Sequence, residues 1–86
     1  MPELSRFLGI TIYMYFNEHN PPHFHAEYNE FKAAFSIETA GIIKGKLPPR
    51  VTSLVVEWAQ IHKNELMSDW SSIRDTGSYQ RISPLV

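Results

Sequence analysis

The chain divides into two halves with different hydrophobic periods. From Gly9 to Ile37 apolar residues recur at every second position, the period of a strand that buries one face. In GITIYMYF, Ile10, Ile12, Met14 and Phe16 share one side, and Thr11, Tyr13 and Tyr15 share the other. The alternation stops at NEHNPP, where paired prolines fix φ and withhold two N–H donors, so no central strand passes through. HFHAEY resumes it, with Phe24, Ala26 and Tyr28 on the apolar side and His23, His25 and Glu27 on the polar side. Asn29-Glu30 is the expected hairpin turn because Asn tolerates positive φ, although Glu is a poor second turn residue. FKAAFSI then points Phe31, Ala33, Phe35 and Ile37 inward and Lys32, Ala34 and Ser36 outward. ETAG turns the chain again, and IIK is expected to add a short fourth strand.

From Leu47 the period lengthens. Val51, Leu54, Val55, Trp58, Ile61 or His62, Leu66, Trp70 and Ile73 recur at spacings of three and four, and proline suits a first helical turn. Unbroken from 48 to 73, such a helix would be ~39 Å long at ~1.5 Å per residue, more than the ~30 Å expected across so small a domain. It must bend, break near Lys63 to Glu65, or project into a partner. TGSYQ ends it, and RISPL is expected to form a last short edge strand. The predicted fold is α+β, a single domain over residues 1–86. It is a three- to four-stranded antiparallel meander packed on one face by a long C-terminal helix.

Composition narrows the function classes. The 86 residues are 43% hydrophobic and 13% aromatic, a folding composition. So short a chain buries only about 60–65% of its unfolded surface, which makes self-association an expected property. With no cysteine, disulfides, thiolate metal sites and cysteine nucleophiles are excluded. The N-terminus has neither the basic start nor the apolar run of a signal peptide, and no stretch approaches ~20 apolar residues, so a cytoplasmic protein without membrane contact is expected. A net charge of −1 disfavours binding nucleic acid by bulk charge and leaves only a local basic patch for that role.

The uncovered sheet face carries the candidate chemistry, and three readings stand open. His23 and His25, two apart on a strand, put both imidazoles on one side, and His19 or Glu27 can supply a third ligand at ~2.0–2.2 Å from zinc. The same two histidines suit a metal-independent ribonuclease, since imidazole titrates near neutral pH and can act as base and acid. There Lys32, Arg6 or Arg81 would steady phosphate, while Tyr13 and Tyr15 stack bases. The third reading is a noncatalytic surface, Tyr-rich and partly apolar, that binds another protein or a second copy. Trp58 and Trp70 fit core packing, and no glycine-rich phosphate loop or nucleophile motif is present.

The run from MPELSRFLGITIYMYF through NEHNPPHFHAEY to LVVEWAQIHKNEL and the closing RISPL resembles the bacterial family catalogued as domain of unknown function 4160. The resemblance draws attention to His19, Pro21, Pro22, His23, Phe24 and His25, with Leu47-Pro48 and Trp58 as scaffold. The chain departs from the family at Glu30, where members often carry glycine. Members are often encoded beside another small protein, as toxin–antitoxin pairs are. The resemblance therefore implies a component of such a module; joined to the residue-level ribonuclease reading, it makes action on RNA through the histidine face the expectation, with RNA, a small antitoxin-like protein and its own copy as expected partners. No cofactor is expected unless zinc occupies the histidines.

Overall fold

The computed structural model describes residues 1–86. Five antiparallel strands, β1 (Glu3–Phe7), β2 (Ile10–Tyr13), β3 (His23–Tyr28), β4 (Phe31–Ser36) and β5 (Ile42–Lys46), lie in chain order across one sheet. The α+β meander predicted by the alternation is present, with one strand more than expected. That strand, β1, is masked in the sequence by a bulge between Glu3 and Ser5 that sends two consecutive residues, Leu4 and Ser5, inside. Its hairpin to β2 turns on Leu8 and Gly9, both at positive φ (51° and 79°), and leucine is not a residue that advertises such a turn. RISPL forms no strand. Pro84 withholds a donor, and the backbone bond from this segment to β1 is that of the Ile82 N–H to the Leu4 carbonyl (2.8 Å).

Turn geometry explains two further positions. Of the Asn29-Glu30 pair only Asn29 takes positive φ (53°), so Glu30 meets no steric demand for glycine. Gly45, at φ +79°, lies where an added Cβ would fall 2.4 Å from the Lys32 carbonyl oxygen, so only glycine lets β5 close onto β4. Phe16, inward by alternation, is half exposed because β2 ends at Tyr13 and the chain has left the sheet by that point.

The helical half is two helices, α1 (Pro49–Ile61) and α2 (Lys63–Thr76), not one. The molecule measures 34 × 25 × 22 Å, so an unbroken helix of the predicted length would overhang it. The break falls at His62 (φ −108°, ψ 27°), just before the expected Lys63 to Glu65. The local hydrogen bonds survive it: His62 N–H donates to the Trp58 carbonyl (3.0 Å) and Leu66 N–H to the His62 carbonyl (2.9 Å). α2 ends on Gly77 at φ 77°, whose N–H reaches the Ser72 and Ile73 carbonyls. Neither helix is long and apolar enough to cross a membrane.

The core lies between the sheet and the helices around Trp58, fully buried with Phe24, Phe35, Ile10, Ile12 and Val55. The C-terminal tail is fastened to it at three places. Trp58 Nε1–H donates to the Ser83 carbonyl (2.8 Å), Ile82 is buried, and Gln80 N–H donates to Asp69 Oδ1 (2.8 Å). Asp69 Oδ2 is buried without a partner, and burial pushes this carboxyl above the ordinary range, with the Gln80 N–H opposing and Glu65 reinforcing the rise.

Trp58→Phe removes the indole donor and part of the ring while keeping an aromatic side chain beside Phe7 and Phe24. We expect a loss of about 1–3 kcal/mol, measured by urea unfolding, with faster exchange of the Ile82 amide than of the sheet amides. Unchanged Ile82 exchange would show that the tail is held by other contacts.

Candidate functional site

Strand register arranges the open face into rows. One runs Glu3, Tyr13, His25, Ala34, Lys44 and the next Arg6, Thr11, Glu27, Lys32, Lys46, each residue directly paired across neighbouring strands. A groove of about 270 Å³ follows the first row, lined by Tyr13, Tyr15, His25, Lys32, Ala34 and Lys44.

At one end of the groove the β2–β3 loop folds back over β3. Its Asn20–Pro21 peptide is cis. Three contacts pin it: Ile37 N–H donates to the Pro22 carbonyl (3.1 Å), Arg74 Nη1 reaches Asn20 Oδ1 (3.4 Å), and the His23 ring packs on Trp70 of α2 (5.2 Å between centroids). This arrangement turns Glu18 toward both strand histidines. Its Oε1 lies 2.7 Å from His25 Nε2 and its Oε2 3.4 Å from His23 Nε2. The three side chains are 23%, 20% and 13% exposed for Glu18, His25 and His23, partly shielded yet reachable by solvent.

The tautomer of His23 follows from its surroundings. Its Nδ1 is 2.8 Å from the Pro21 carbonyl, which can only accept, so Nδ1 carries the proton and Nε2 faces Glu18. His25 stacks on Tyr13 (5.2 Å, 15° between planes) and meets the Tyr15 edge (4.8 Å), which fixes its ring. Tyr13 itself is buried beneath these neighbours. Burial, and then the adjacent Tyr15 hydroxyl, push its own hydroxyl up to about 12.

Residues 9–71, which hold β2 to β5 and both the loop and the histidines, match the family described as Domain of unknown function (DUF4160). The chain belongs to the DUF4160 family. No curated protein and no solved structure matches it.

In this DUF4160 chain the residues singled out by sequence are distributed unevenly around the site. His23 and His25 stand together as strand alternation requires. Tyr15 and Lys32 reach the groove, whereas Tyr13 forms its floor with its ring covered. His19 is exposed and is not a member of the cluster that Glu18 forms with the two strand histidines, and Glu27 faces Lys32 across the strands. Arg6 is engaged at the β1 side by Glu3 (2.7 Å), which Arg81 also contacts (3.0 Å); these two guanidiniums hold the Glu3 carboxyl below its usual range. Sequence reasoning passed over Glu18 and Lys44. Glu18 sits in the same histidine-rich stretch, but only the fold of the proline loop decides that it, and not its neighbour His19, turns inward. Lys44 was detectable only with the β4–β5 register, which depends on the bulge opposite Ala34 and Phe35.

Alkaline titration of tyrosine absorbance should show one of the four tyrosines ionising far above the ordinary range, near pH 12, and Tyr13→Phe should remove that component. Survival of the late component in the variant would mean that Tyr13 is not the shielded phenol.

Proposed function

We propose that this protein acts on RNA, binding a single strand along the open-face groove and presenting the Glu18–His23–His25 cluster to the bound strand. The observation that carries the reading is the run of lysines beside the groove. Lys32 stands directly opposite Lys46, with Lys44 one row away on β5. Like charges facing each other across strands work against folding, and Glu27 offsets only the β3 side. A polyanion laid along β4 and β5 removes that repulsion. Tyr15 and His25 at the groove wall offer rings to unpaired bases, a sequence-tolerant contact. The family resemblance, with its small neighbouring gene products, fits a toxin–antitoxin-like role for such an activity. Both imidazole Nε2 atoms face a carboxylate, so chemistry by the pair would run through Glu18 and not through two free imidazoles.

Fluorescence anisotropy with a labelled single-stranded RNA tests the groove. Lys32→Glu with Lys44→Glu should weaken binding by roughly tenfold or more and flatten the salt dependence, each lost phosphate contact lowering the slope by about 0.7. His23→Ala with His25→Ala should abolish cleavage of the RNA even at concentrations that saturate the variant. Affinity untouched by the lysine changes would eliminate the reading.

A second reading, self-association, is favoured by a different observation. β5 is an exposed edge strand, and its bulge leaves the consecutive Ile42 and Ile43 41% and 49% exposed. An unpaired apolar edge is a template for pairing with a second copy. Sedimentation should show a concentration-dependent dimer that Ile43→Lys reduces to monomer; a wild-type chain monomeric at high concentration would exclude it.

A further inference from the structure

We infer that Glu18, His23 and His25 form a binding site for one divalent transition-metal ion of the zinc class. The inference rests on the geometry of the cluster alone and goes beyond the RNA reading. Each of the three side chains can offer one ligand atom, and all three atoms lie within 4.8 Å of one another. Ligand atoms around a tetrahedral zinc stand about 3.3 Å apart, given bonds of about 2.0–2.1 Å. The separation of Glu18 Oε2 from His23 Nε2, 3.4 Å, already meets this spacing. That of Glu18 Oε1 from His25 Nε2, 2.7 Å, is the length of a hydrogen bond. A metal entering there takes the place of the Nε2 proton that His25 donates to Glu18. A neutral ring moves that proton to Nδ1 and an imidazolium releases it to solvent, so that His25 ligates as the neutral Nδ1–H imidazole in either case.

Two features separate this cluster from an incidental carboxylate–imidazole contact. The first is the support behind His23. Its Nδ1–H donates to the Pro21 carbonyl, the partner that fixes a ligating histidine's tautomer and aims Nε2 at an ion. The second is convergence from separate segments: the histidines come from one strand and the carboxylate from a loop pinned to α2 through Arg74 and Trp70. The molecule holds its own counterexample. His62 and Glu65 lie 2.6 Å apart, yet they are neighbours at the start of α2 with no third ligand, so they form only a local pair.

Two imidazoles and one carboxylate leave a fourth tetrahedral position for water or a substrate oxygen, the composition of a reactive metal centre and not of a closed structural one. His25 also lines the groove, so that position adjoins the surface where a phosphodiester would bind. There an ion polarises a phosphoryl oxygen or lowers the pKa of its bound water.

Isothermal titration calorimetry of chelator-treated protein with zinc alone, in the absence of RNA, tests the site. One ion per chain is expected, with the imidazole NMR signals of His23 and His25 shifting while those of His19 and His62 stay in place. Glu18→Gln should weaken binding at least about tenfold, His25→Ala should abolish it, and His19→Ala should leave it unchanged. Because His23 packs on Trp70, the loop variant Glu18→Gln, with circular dichroism matching wild type, separates ligand loss from misfolding. No saturable binding, or binding as strong in Glu18→Gln and His25→Ala as in wild type, overturns the inference. The lysine-dependent RNA affinity is read independently, so either proposal can fail without the other.

Discussion

Trp58 is the point on which the other parts of the molecule register. Its ring lies 5.7 Å from Phe7 of β1 and 6.0 Å from Phe24 of β3, so α1 is seated on two nonadjacent strands at once. Its carbonyl accepts the His62 N–H and its ring meets the His62 imidazole (5.4 Å), so the corner between the helices is set by the same residue. Its indole N–H holds the tail. The direction of α2, and with it the placement of Trp70 behind His23, follows from that corner. A residue with no role in chemistry thereby determines where the loop bearing Glu18 comes to rest.

Alternation from Ile10 to Ile37 and the three–four spacing after Val51 carried the architecture, because burial on one face leaves a periodic trace. What escaped the sequence were the places where periodicity is interrupted. β1 hides behind a bulge, and its turn uses leucine at positive φ. The tail lies beside β1 as an irregular segment because one backbone bond and two buried contacts hold it, which no repeat records. The corner at His62 came one residue before the expected position, since the tryptophan beneath it, and not the charged segment beyond, fixes where the helix can stop.

The site was half legible. A histidine, a phenylalanine and a histidine in succession on a strand place both imidazoles on one face, and that holds whatever the loop does. The third member could not be chosen from sequence. Glu18 and His19 are adjacent, and their orientation depends on a proline-stiffened loop anchored by contacts to Ile37 and Arg74, distant in the chain. The basic character of the groove was equally hidden. A net charge of −1 averages over the chain, whereas Lys32, Lys44 and Lys46 become neighbours only through the β4–β5 register. Covering of Tyr13 by His25 likewise belongs to cross-strand pairing and not to the alternation that puts both on one side.

The two borders of the sheet are unlike. Along β1 the tail sits against the strand, with Ile82 bonded to Leu4 and Arg81 bridged to Glu3, so that border is occupied by the chain's own end. Along β5 the backbone is uncovered. Strand addition therefore has a single port. If two copies were to join through it, both ports would be used up and the resulting ten-stranded sheet would carry a tail at each outer border, so such pairing would close at two chains instead of lengthening into a fibre.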